Sequence, residues 1–434
     1  MDNANETLAA EMAAVNTAKS VELFDALRNT IQLNEVQVAL DNSADRVLEA
    51  QKLLDAVEPY EVSPALVETV DQRLARAGVE IPLEVGFAEV QGAEALGHTL
   101  LPKNFLFTRR AGCENFLTQF FKDSREVAIQ IGAAFRDTWV IFTQSEENLN
   151  KALDLLETQV NSYPDFLSTN SFILEYRLYN LFKVNGKVNG DWSGNLSKLS
   201  STISALSGGY YLNNKQTLQA LMSYFGGFTS LSQEGAMERL RMLPMSIPDI
   251  PFKECTYPNK AHESLLVTSK QSVELMGGAY FFDTRLKNRP KSCDTLDLLS
   301  EYIDLHIKND RTGFENNAPQ THDQVGSEIK ALSSREIKAI VKSLRSLLKD
   351  WTSMFEKGEK FKVGDADFND IIKGIVDADI EETTRLYIAK WFGALIRHNQ
   401  MELLAIRVTV NNYLTLIING LIQICNNSIK VNAE

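Results

Sequence analysis

The stretch from Ser327 to Lys357 places Ile329, Leu332, Ile337, Ile340, Val341, Leu344, Leu347, Leu348, Trp351 and Phe355 on a single apolar stripe. Intervals mostly of three and four residues sustained over this length predict a long amphipathic helix with one buried face. The same rhythm governs most of the chain. Leu23, Phe24, Leu27 and Ile31, then Val47, Leu48 and Leu54, mark residues 1–58 as helical. Ser63-Pro64 reads as a helix start, with Ser as the cap and Pro in the first turn, and Gly78 as its left-handed stop. Phe116, Leu117, Phe120, Phe121, Val127, Ile131, Phe135 and Trp139 predict helix from Glu114 to about Thr143. Ser145 is expected to cap the next helix, whose first turn holds Glu146 and Glu147. Shorter helices are expected around 195–206, 214–224 and 295–307, with a polar loop over 310–325. The last helix, broken or whole, is expected from Ala366 to about Ile429.

One region departs from the rhythm. Pro244, Pro248, Pro251 and Pro258 exclude regular helix over some fifteen residues. The following SLLVTSKQSVELMGGAYFFDTRL is rich in β-branched and aromatic residues and is divided by Gly277-Gly278, which predicts a small antiparallel hairpin or sheet. The expected class is mainly α: an elongated helical body, long amphipathic C-terminal helices and a small β-hairpin or sheet insertion.

Charge divides the chain more sharply than hydrophobicity does. Residues 1–94 hold 18 Asp/Glu and 6 Lys/Arg, a net of about −12, against −13 for all 434 residues. The remainder is nearly neutral. The change falls in Glu80–Leu101, a Gly- and Pro-punctuated stretch with little helical rhythm, read as an exposed connector. Four regions follow: an acidic helical leader over 1–94, a helical domain over 95–241, a Pro-rich segment with the small β module over 242–292, and a helical C-terminal domain over 293–434.

Catalytic chemistry finds little to stand on. Cys113, Cys255, Cys293 and Cys425 are far apart and form no C-x-x-C pair. His98, His262, His306, His322 and His398 are scattered, with no two spaced for one helix face. Neither a G-x-S-x-G elbow nor a phosphate-binding loop occurs. Asp365-x-Asp367-x-Asn369 opens like a calcium loop, but its sixth position is Asp370 and its twelfth Val376, so a carboxylate-rich helix start fits better. No metal, no cofactor and no enzymatic activity are expected. The opening MDNANETLAAEMAA lacks the design of a secretory signal, and the apolar run Tyr413–Cys425 is too short for a membrane span. A soluble protein, intracellular when made, is expected.

Two features suggest interactions instead. Residues 330–362 carry nine Lys/Arg against four Asp/Glu, and Lys330, Arg335, Lys338, Lys342, Arg345 and Lys349 could lie against nucleic-acid phosphates. A solvated face of an amphipathic helix explains the same charges. Small-x-Glu triplets recur elsewhere, including Ser20-Val21-Glu22, Ser124-Arg125-Glu126, Ser232-Gln233-Glu234 and Ser334-Arg335-Glu336. Gly92-Ala93-Glu94 differs in context: it lies in the expected loop at the charge boundary, where a protease can take an extended backbone.

This layout resembles the internal head (prohead core) proteins of giant tailed bacteriophages. The resemblance rests on the acidic leader with Ser63-Pro64 and Val70, then Arg73-Leu74-Ala75-Arg76-Ala77-Gly78. It extends through the IPLE connector, the aromatic helix after it, the β segment ending Gly278-Ala279-Tyr280, and Ala394-Leu395-Ile396-Arg397 in the C-terminal helix. It implies a non-enzymatic virion structural protein, packaged inside the head and present in the host cytoplasm during assembly. It also implies trimming by the prohead protease after a small-x-Glu sequence, carried over here as Gly92, Ala93 and Glu94, with Glu84 as the alternative. Family triplets usually begin with Ser or Ala, whereas Gly leads here. Implied partners are other head proteins, the prohead protease and, non-specifically, packaged DNA, in an oligomeric setting without a membrane. A second reading is an intracellular α-helical scaffold without proteolytic maturation, its acidic leader paired with a basic partner or with the helix at 330–362. A third is an enzyme whose site is assembled from distant residues.

Overall fold

The computed structural model describes residues 2–56, 63–79, 102–163, 165–188, 190–206, 231–241, 252–255, 267–286, 311–316, 327–359, 371, 374–375 and 378–433. Within these the chain is mostly helical, with two small antiparallel sheets. The first three helices are α1 (Asp2–Asp55), α2 (Pro64–Arg76) and α3 (Pro102–Ser162). Ser63 caps α2 by accepting a hydrogen bond from the Leu66 amide at 3.2 Å, and Gly78 takes the expected left-handed turn after it.

α3 corrects one expectation. It is a single helix of 61 residues, not two helices meeting at Ser145. Ser145 lies inside it and donates its hydroxyl to the Ile141 carbonyl at 3.0 Å. Between Pro102 and Pro164 there is no proline to interrupt the hydrogen-bond ladder, so nothing forces a break at Ser145. The helix also begins well before Glu114.

The chain continues through β1 (Ser171–Leu174), α4 (Tyr176–Phe182), α5 (Trp192–Ala205) and α6 (Gln233–Arg241). Strands β2 (Lys253–Cys255), β3 (Val267–Gln271), β4 (Ala279–Leu286) and β5 (Arg311–Asn316) form a four-stranded antiparallel sheet in that order. The expected hairpin is present as β3 and β4, joined through a 3-10 turn at Met276–Gly278. β6 (Ser327–Lys330) pairs with β1, placing Phe172 opposite Ile329. Two long helices close the chain, α7 (Ser334–Glu359) and α8 (Glu382–Ala433).

Two further readings are corrected here. Residues 311–316 are strand, not polar loop, because Phe314 sits opposite Phe281 of β4 and, partly buried, packs against the core. Residues 327–330 are strand rather than the first turn of a helix. The helix starts at Ser334, behind a capping box in which Ser333 and Glu336 exchange side-chain-to-amide hydrogen bonds at 3.3 and 2.8 Å. The expected helices at 214–224 and 295–307, and the Asp365–Asn369 segment, lie outside the described residues. So do His98, His262, His306, His322 and Cys293.

α1 runs antiparallel to α3, since Gln37 reaches Ser124 at 3.4 Å while Asp55 meets Arg110 at 3.4 Å. α8 runs beside α3 in the same direction. Lys52 of α1, near that Asp55–Arg110 pair, stands over the Tyr387 ring; Leu404 and Val408 pack with Ala134 and Ile141; Asn170, past the end of α3, binds the Val431 carbonyl at 2.7 Å.

The main core joins the second half of α3 with α4, α5, β4, α7 and the second half of α8. Trp351 of α7 is fully buried and meets Phe142 of α3 edge-on at 6.0 Å. Rings of Phe281, Phe314 and Tyr413 follow one another at 4.9 Å, tying the sheet to α8. Leu404–Asn432, 29 residues, is longer than the apolar run read from sequence and is long and apolar enough to cross a membrane; 72% of its most apolar window is buried inside the protein. That burial is what the central helix of a large core requires.

Candidate functional site

The stretch singled out for cleavage is bounded by well-defined elements. α2 ends at Arg76, Gly78 turns the chain with φ of 80°, and α3 resumes at Pro102. Gly92, Ala93, Glu94 and Glu84 lie between them, outside the described residues. Four of the competing triplets can be compared on structure. Ser20-Val21-Glu22 is inside α1 and Ser124-Arg125-Glu126 is inside α3. Ser232-Gln233-Glu234 and Ser334-Arg335-Glu336 form the first turns of α6 and α7. A helical backbone is engaged in its own ladder and must unwind before a protease can bind it in extended form.

The leader itself is packed against the body. Ala44, Val47, Leu48, Ala50 and Leu54 of α1 and Val70 and Leu74 of α2 are buried. α1 packs along α3 and α8, and the first halves of those helices bury Leu106, Cys113, Phe120 and Val127 of α3 and Tyr387, Ile388 and Trp391 of α8. α2 folds back on α1, with Arg73 and Glu49 3.7 Å apart. Arg109 of α3, almost wholly buried, makes a two-pronged contact with Asp71 of α2 at 2.9 and 2.8 Å. A planar guanidinium and a carboxylate fit in this way, and the pairing fixes angle as well as distance. Neither residue stood out in the sequence. The adjacent Arg109-Arg110 pair near the start of α3 was the available signal, and only the way α1 and α2 meet α3 reveals its partners Asp55 and Asp71.

The basic residues near α7 separate into two groups. Arg335, Lys338, Lys342, Arg345 and Lys349 recur at intervals of three and four and share one face, and Lys330 precedes them on β6. Arg345 is half-buried and is held by two carboxylates of α3, Asp154 at 2.6 Å and Glu157 at 2.8 Å. Its guanidinium is held above its ordinary pKa chiefly by the hydrogen bond to Asp154. Lys338 lies 3.6 Å from Asp165. Lys330, Arg335, Lys342 and Lys349 are exposed, with no acidic partner among the described residues. No three His, Cys, Asp or Glu side chains converge as a metal site among the described residues.

A family model of phiKZ-like phage internal head proteins matches residues 28–427. The chain belongs to that family. The match begins in α1 and ends in the last turns of α8, so the leader from residue 28 onward, the connector and nearly all of the body fall inside the shared sequence. Comparison with curated proteins found no match, and neither did comparison with solved structures. Membership makes this internal head protein a component of the phage head interior and supports a structural role there.

Proposed function

We propose that this internal head protein is packaged as a non-enzymatic prohead core component and is trimmed by the prohead protease in the connector between α2 and α3. The cut is assigned after Glu94, with Glu84 as the alternative. The charge partition carries this reading: about −12 of the −13 net charge precedes the connector, and the family match runs through it. An acidic leader keeps the precursor soluble and repelled from nucleic acid while the shell assembles. The body alone is close to neutral, so it can lie among packed phosphates with little repulsion. The helical context of four of the other triplets supports the choice of connector over them, and Ser272-Val273-Glu274, outside any helix, is held by Ser272 hydrogen-bonding with the Phe281 backbone. Other head proteins and the protease are the partners this role requires, first in the host cytoplasm and then in the head.

The exposed Lys330, Arg335, Lys342 and Lys349 favour a secondary, non-specific contact with packaged DNA. The alternative is a scaffold that keeps its leader intact. The two are separated by the amino termini of the protein recovered from mature particles: a terminus at Ala95 or Val85 supports trimming, and a single chain running uninterrupted from its initial residues through Glu94 rejects it.

A further inference from the structure

We infer that cutting the connector does not release the leader: α1 and α2 stay docked on α3 and α8 as a tightly held second chain. The inference rests on the trimming reading for its biological setting, but its physical basis is independent of it. Leu48, Leu54, Val70 and Leu74 of the leader are at most 4% exposed, which is the burial of a domain core and not of a loosely tethered arm. Val79, directly after α2, packs onto Gly112 of α3 so closely that a Cβ at Gly112 would stand 3.1 Å from its Cγ1. The two-pronged Arg109–Asp71 contact and the Asp55–Arg110 pair bridge the same boundary. Everything that joins leader to body in this list is non-covalent and lies outside residues 80–101.

A consequence follows for the charge. A cut chain with its leader in place still carries the full net charge of −13, so the shift towards neutrality belongs to a later release step. Departure of the leader would also take Lys52 from over the Tyr387 ring, which is buried in the intact chain. Cutting and release are two events.

The test uses the full chain with a site-specific protease sequence placed in the connector, cut after folding and passed over a sizing column with native mass spectrometry. The expected result is one particle near the 48.6 kDa of the uncut chain, containing both pieces one to one. A leader eluting on its own under non-denaturing conditions would overturn the inference. Two variants probe the surface: Arg109→Ala removes the charged bridge, and Gly112→Leu blocks the seat of Val79 while keeping a residue that favours helix. Each is expected to weaken retention of the leader on dilution by about tenfold or more. Unchanged retention in both would overturn the assignment of this surface. An untrimmed N-terminus in virions would remove the trimming reading and leave this result standing; separate elution would do the reverse.

Discussion

Arg109 on α3 donates from Nε and Nη2 to the two carboxylate oxygens of Asp71 on α2, at 2.9 and 2.8 Å, with its own side chain only 8% exposed. A guanidinium cannot shed its charge, so removing the carboxylate takes a two-pronged charged partner from a cation in a nearly dry position. Asp71→Ala is therefore expected to destabilise the protein by about 1–3 kcal/mol, the usual range for losing a hydrogen-bonded charged partner of a buried group. Urea unfolding of the two proteins side by side checks this. Asp71→Asn, which keeps one acceptor oxygen, should lose less.

Gly420 of α8 faces Phe182 of α4. A Cβ at this position would stand 2.8 Å from two atoms of the Phe182 ring, which is fully buried and packed edge-on against Trp192 at 5.3 Å. Inside a helix, Gly→Ala ordinarily stabilises by about 1 kcal/mol. Here overpacking, at about 1–3 kcal/mol, outweighs that gain because the ring has no space to retreat into. Gly420→Ala is expected to lower the melting temperature, whereas propensity alone predicts a rise.

Burial pushes the Cys425 thiol from an ordinary 9.0 up to about 12, and lifts the Tyr413 phenol above its ordinary 10.0. Both groups hold their protons more tightly folded than unfolded. Their contribution to stability is thus intact below about pH 9 and declines as pH rises from about 9 towards 12, where the unfolded chain ionises first. Unfolding free energy measured at pH 8 and pH 10.5 should fall. In Tyr413→Phe, which loses the 2.8 Å bond to the Met276 carbonyl, stability should drop at both pH values and the alkaline decline should be shallower. Native alkylation at pH 8 should label the half-exposed Cys255 and spare buried Cys113 and Cys425.

Lys342 and Lys349 project from the same face of α7 without acidic partners among the described residues, while Arg345 between them is held by Asp154 and Glu157. If this face meets DNA, Lys342→Glu with Lys349→Glu should weaken retention on duplex DNA at low salt. The slope of log affinity against log salt should fall by about 2. Equal retention and an equal slope would remove the DNA contact and leave a solvated helix face.

Much of the helical content was legible because periodicity is a local property. Ser63-Pro64 and Gly78 marked the ends of α2, and Gly277-Gly278 marked the turn between β3 and β4, because cap and turn chemistry need particular residue types. β5 and β6 were not legible. Arg311–Asn316 and Ser327–Lys330 are short, and their partners lie elsewhere in the chain: Phe172 is more than 150 residues from Ile329. Ser145 misled for a different reason. A serine followed by two glutamates satisfies the local rule for a helix start, yet the same hydroxyl can bond back to Ile141 inside a continuing helix. At the candidate site the charge boundary could be counted directly, but the Arg109–Asp71 bridge depends on α2 folding back over α1 and meeting α3, a relation no local pattern encodes.

The central claim is that a mature head contains this protein cut within residues 80–101. Labelling the free amino termini of proteins in purified, DNA-filled virions and sequencing the labelled peptides measures this directly. The account predicts a new terminus at Ala95, or at Val85, on most copies. Heads in which the terminus remains at the start of α1, and in which one uninterrupted peptide spans Glu84 and Glu94, would contradict it.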